Sequence, residues 1–151
     1  MTWFEVSLKK LDEEYIRENS ENLYWDHLSY NQKLSEELIR DFKDKVDWGC
    51  ISKHQILSES FIREFADKVD WAFISKYQDL SEDFIYQFQD KIRFIWLIEN
   101  KNLCKYSEKL QRLILEKIID IEGMSGTISY YTNHYLTPYM KKQIKKLRIF
   151  T

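Results

Sequence analysis

The stretch Asp67-Lys68-Val69-Asp70-Trp71-Ala72-Phe73-Ile74-Ser75 decides the fold, because the chain contains it more than once. Asp44-Lys45-Val46-Asp47-Trp48-Gly49-Cys50-Ile51-Ser52 stands 23 residues before it. Asp90-Lys91-Ile92-Arg93-Phe94-Ile95-Trp96-Leu97-Ile98 stands 23 residues after it, in looser form. The same spacing runs outward through Leu11, Leu34, Leu57 and Leu80, through Ile16, Ile39, Ile62 and Ile85, and through Trp25, Trp48, Trp71 and Phe94. Leu28, Ile51, Ile74 and Leu97 form a further column, followed by Ser29, Ser52 and Ser75. Phase-locked columns of this kind belong to stacked repeats, in which every unit buries the same seam against its neighbours.

Each copy reads as two short helices. The first opens at Ser35, Ser58, Ser81, Ser107 or Thr137, residue types whose hydroxyl accepts a free backbone N–H at a helix start. Glu36, Glu59 and Glu82 follow, beside the positive end of the helix dipole. Phe61, Ile62, Phe65 and Val69 lie on one helical face. The second helix opens at Asp47 or Asp70, and Trp71, Ile74, Ser75 and Gln78 share one stripe. The recurrent serine, being small, is read as a site of close helix packing. Sustained strand-like alternation is missing. The expectation is an all-α solenoid of about five to six stacked helical hairpins in a single domain, residues 1–151. The best copies lie in 11–98, with eroded copies and a C-terminal cap in 99–151. Trp3, Val6 and Ser7 form a half copy at the start. Glu116-Lys117-Ile118 falls where Asp90-Lys91-Ile92 would, and Ile128-Ser129 with Leu136-Thr137-Pro138 reads as a final copy.

Composition agrees with long runs of regular structure: three Gly and one Pro in 151 residues. Apolar runs fall short of the roughly 20 residues of a membrane span, and Met1 to Val6 has no signal-peptide character. Cys50 and Cys104 have no disulfide or metal spacing, so a reducing compartment is expected. Together these readings predict a cytoplasmic protein without a membrane or cofactor partner. The formal charge of −2 is uneven, with +5 in residues 139–151 and −7 in the rest.

Columns that stay fixed are expected to be core, including the tryptophans. Columns that vary are the place to look for binding. His27, Cys50, Phe73 and Trp96 align on the second helix, as do Asn31, His54, Tyr77 and Asn100. Four residues apart, the two columns share a face opposite the Trp71–Ile74–Ser75 stripe, and stacked helices would extend them into a ribbon about 30 Å long. Aromatic residues on a constant scaffold suit protein binding; the competing expectation is a second apolar seam.

Catalytic readings are weaker. Cys50 and His54 share a helical face, but His27 lies a whole copy away, too far to share one metal ion, and no third group is placed to orient His54. Phosphate loops, HExxH and GxSxG are missing. The stretch Tyr139-Met140-Lys141-Lys142-Gln143-Ile144-Lys145-Lys146-Leu147-Arg148 is a basic amphipathic helix. Lys141, Lys142, Lys145, Lys146 and Arg148 are its candidate nucleic-acid contacts; a solvated C-terminal cap is the plainer reading.

Leu80-Ser81-Glu82-Asp83-Phe84-Ile85 together with Asp67-Lys68-Val69-Asp70-Trp71-x-x-Ile74-Ser75 resembles a short helical-hairpin repeat of phage and large DNA-virus proteins. The resemblance covers residues 11–98 best and carries no catalytic residues. It implies a virus-encoded, non-enzymatic module acting inside an infected cell. The function expected first is protein binding, as an inhibitor of a host or defence protein. An accessory nucleic-acid binder and a self-assembling structural component follow as alternatives.

Overall fold

A 23-residue copy has room for two helices of under two turns each, so each helix needs its ends closed by side chains. The computed structural model describes residues 2–122 and 134–146. Among the described residues it is all-helical, with regularly spaced short helices that contact their neighbours, the architecture of a helical-repeat solenoid. It falls into two compact units, residues 1–74 and 75–151.

The first unit holds α1 (Trp3–Ser7), α2 (Glu13–Glu18), α3 (Trp25–Asn31), α4 (Glu36–Asp41), α5 (Trp48–His54), α6 (Glu59–Glu64) and the start of α7 (Trp71–Tyr77). The capping serines act as their type predicts. Ser35 and Ser58 accept the N–H of Leu38 and of Phe61, each at 3.1 Å, and Asp12 does the same for Tyr15 at 2.8 Å. Asp47 caps α5 through Cys50 N–H at 2.6 Å, and Asp70 caps α7 through Ala72 and Phe73. Thr2 and Glu5 close α1 reciprocally. The second helices pack on one another, α1 on α3 and α3 on α5. Ile16, Leu28, Leu38, Ile39, Ile51, Ile62 and Ile74 fill the interior.

The second unit holds the end of α7, then α8 (Glu82–Gln87), α9 (Phe94–Leu97), a 3-10 turn at Leu103–Lys105, α10 (Glu108–Glu122) and α11 (Pro138–Lys146). Ser81, Ser107 and Thr137 cap α8, α10 and α11 through Phe84, Leu110 and Met140. α10 packs against α9 and α11. Here the repeat changes form. Glu116-Lys117-Ile118 lies inside one 15-residue helix instead of at a helix–helix corner. Leu110, Ile114, Leu115 and Ile118 are all buried, so the apolar face runs on where earlier copies turn, and the helix continues with it. Ile128 and Ser129 lie outside the described residues, as does most of the Glu122–Thr127 connection.

The tryptophan column is only partly core. Trp25 and Phe94 are buried, whereas Trp48 and Trp71 are half-buried. The indole N–H groups of Trp25, Trp48 and Trp71 each donate to the carbonyl five residues earlier, of Ser20, Lys43 and Ala66, at 2.9 to 3.0 Å. An indole that must reach a carbonyl at a loop keeps one edge near water.

Candidate partner-binding surface

Any binding face has to be separated from what the scaffold consumes. The fixed serine is wholly consumed. Ser7, Ser29, Ser52 and Ser75 are fully buried. Their hydroxyls accept the backbone N–H of Tyr24, Asp47, Asp70 and Arg93, residues that begin the second helix of the next copy, at 2.9 to 3.0 Å. The same Oγ of Ser7 and Ser52 donates to the carbonyl one turn back, of Trp3 and Trp48. The serine is therefore a hydrogen-bonded stitch between copies, more than the packing notch expected.

A second consumed column escaped sequence reading. Gln55 is buried; its Nε2 donates to the carbonyls of Ser29 and Gln32 at 3.0 and 2.8 Å, and its Oε1 accepts Leu34 N–H at 3.0 Å. Gln32 repeats this with the Lys9 carbonyl and Leu11 N–H. Each glutamine satisfies the open end of the preceding second helix, where carbonyls lack intrahelical partners. The first-turn glutamates have a similar role. Glu13 and Glu36 accept both the N–H and the hydroxyl of the next copy's capping serine, Ser35 or Ser58, and Glu82 does so for Ser107. Charges at the helix corners also pair one copy apart: Lys45 with Glu21, Lys68 with Asp44, and Arg40 with Glu64.

What remains outward on the second helices is the variable set. In the first unit, His27 and Cys50 are half-buried and Asn31 and His54 exposed. The His27 ring meets Phe4 edge-on at 4.8 Å, and Phe4 meets Tyr24 at 5.7 Å. Tyr30 packs against His54 at 4.4 Å. Phe73 is half-buried, near Gly49 and under the Lys53 ammonium at 5.7 Å. In the second unit, Tyr77 is 39% and Trp96 37% exposed. The Lys76 ammonium sits 5.5 Å from the Tyr77 ring and 5.1 Å from the Trp96 ring, and pairs with Glu99. A cation held over two rings fixes their orientation.

No family model, curated protein or solved structure matches this chain.

Asn100 departs from the predicted face. It is 4% exposed, and its Nδ2 donates to the carbonyls of Ser75 and Gln78 at 2.8 and 2.9 Å. Those bonds are the ones Gln55 makes one residue later in its own copy, so Asn100 is aligned with the glutamines and belongs to the scaffold. The shorter side chain compensates for a position one residue early.

The Cys50–His54 pair carries no sign of activation. Burial, then the nearby Asp47 carboxylate, pushes the Cys50 thiol above its ordinary range. Loss of water and the charge of Lys53 lower the His54 pKa. Among the described residues no group of three or more His, Cys, Asp or Glu is placed to hold a metal ion. No helix among them is long and apolar enough to cross a membrane.

On α11, Met140 and Ile144 are buried, Lys141 is half-buried, and Lys142, Lys145 and Lys146 are exposed. Arg148 lies outside the described residues.

Proposed function

We propose that this chain is a non-enzymatic binding module that offers the outer faces of its second helices to a protein partner. One observation carries the reading. The fixed polar columns are consumed by bonds between copies, while aromatic side chains are left in water: Tyr77 and Trp96 on the variable columns in one unit, and Tyr24 and Tyr30 beside those columns in the other. Interface hot spots are enriched in these residue types, and rings already held in place lose little freedom on binding. The resemblance to phage and large DNA-virus repeats makes the partner a host or defence protein that the module occupies within the cytoplasm of an infected cell.

The test is affinity capture from host lysate with the intact chain and with two surface variants, Tyr24→Ala/Tyr30→Ala and Tyr77→Ala/Trp96→Ala. A protein recovered by the intact chain, lost with at least one variant of unchanged melting temperature, and rebound after purification supports the proposal. Recovery of the same proteins by all three chains overturns it, as does reproducible recovery of none.

A further inference from the structure

The charge of this chain divides along its structural units. Residues 1–74 hold 10 Lys and Arg against 16 Asp and Glu, a formal −6; residues 75–151 hold 13 against 9, a formal +4. Most of the acidity read from the whole sequence therefore belongs to the first unit; residues 75–138 are close to neutral, with 8 Lys and Arg against 9 Asp and Glu, so the positive charge of the second unit is that of residues 139–151.

On α11 the lysines and the apolar residues take opposite sides. Lys142, Lys145 and Lys146 fall within about 100° of arc, and Met140 and Ile144 point away from them. Met140 and Ile144 are buried, and α11 packs on α10. Thr137 anchors the start of the helix, accepting Met140 N–H at 3.2 Å and donating to Gln111. Lys142, Lys145 and Lys146 enter none of the ion pairs among the described residues, whereas Lys45, Lys68 and Lys76 each face an acid.

We infer that α11 is a second binding element, separate from the aromatic faces, which takes the phosphate backbone of a nucleic acid. A membrane surface fits poorly, because a basic amphipathic helix holds a bilayer by inserting its apolar side, and here that side is buried in the protein. A protein partner also fits poorly, because lysine is depleted in protein interfaces. Phosphodiesters need only point charges, and a lysine ammonium is a compact one. Contact of this kind reads charge and not sequence.

The experiment titrates the intact 151-residue chain into labelled DNA and RNA oligonucleotides, single- and double-stranded, over a series of salt concentrations. Three neutralised phosphates give a slope of log K against log salt of about −3 on duplex DNA and about −2 on a single strand. Lys142→Gln/Lys145→Gln/Lys146→Gln leaves the buried side of α11 untouched, so its helical signal and melting are expected to hold while affinity at low salt falls at least about tenfold. The matching triple Lys→Arg variant is expected to retain binding, which separates charge from fold. Three outcomes overturn the inference: no oligonucleotide binding at low salt, equal binding by the glutamine variant, or phosphatidylserine vesicles or polyglutamate bound as tightly as the oligonucleotides.

Discussion

Asn31 and Asn100 are the same residue type and were placed in one column by spacing, yet one is in water and the other is walled in. The difference is what each amide must satisfy. Asn100→Ala leaves the carbonyls of Ser75 and Gln78 without their donor, and a buried polar group stripped of its partner costs about 1–3 kcal/mol. Asn31→Ala removes an exposed side chain and is expected to shift stability by less than about 0.5 kcal/mol. Denaturant titration of the two variants checks the contrast, and equal midpoints would return Asn100 to the binding face. The cysteines are separated by environment in the same way. Cys104 is exposed, while Cys50 is half-buried and its thiol pKa is raised, so fewer thiolates form there at a given pH. Iodoacetamide is expected to label Cys104 first. The Cys50 rate should climb only as pH rises above the ordinary thiol range, and early labelling of Cys50 would contradict this account.

At the scale of the helix, the copy is held by closures that its own sequence supplies only in part. Capping serines and aspartates were legible because donor and acceptor lie within three residues. The roles of Ser52 and Gln55 were not, because their partners are backbone groups of another copy, 18 to 26 residues away, and a backbone N–H or carbonyl has no letter in the sequence. A column of small residues and a column of long amides look alike from spacing whether they pack, bond or face water. Ser52→Ala discriminates between them. Close packing alone predicts a near-neutral change, whereas the observed bond predicts a loss of about 1–3 kcal/mol, since Asp70 N–H loses its acceptor. Trp48 makes a graded case. Trp48→Phe keeps a ring against Phe65, now 4.9 Å from the indole, and loses the bond to the Lys43 carbonyl, at a cost of about 1 kcal/mol. The fourth copy already does this with Phe94. Trp48→Ala is expected to fall below the roughly 3–5 kcal/mol of a fully buried aromatic, because one edge is already wet.

Across the whole chain, the repeat explains both what continues and where it stops. Serine stitches join each second helix to the next until Ile98, which is 1% exposed and stands where the next serine would follow Ser75. That position offers no hydroxyl to the N–H of a further second helix, and beyond it the first-helix position, capped by Ser107, runs on as the continuous α10. That coincidence was visible in the letters, but its meaning was not until the stitch was known. Within residues 1–74, by contrast, each copy presents the next with the same groups: a serine Oγ, a glutamate carboxylate and the carbonyls at the end of its second helix. Repeat stability of this type is close to a sum of units and nearest-neighbour interfaces. A tandem duplication of residues 34–56 should therefore fold, because the inserted Ser58, Asp70 and Gln55 counterparts meet partners identical in kind to those already present. Circular dichroism should show helical signal rising in proportion to length, with melting at or above that of the parent chain. Inserting only three residues after Lys33 is the control: it throws the Ser29–Asp47 and Gln55–Gln32 bonds out of register, and should lower the melting temperature. If the duplicated chain is less stable than the three-residue insertion, the copies are not interchangeable and the stitch does not set the register.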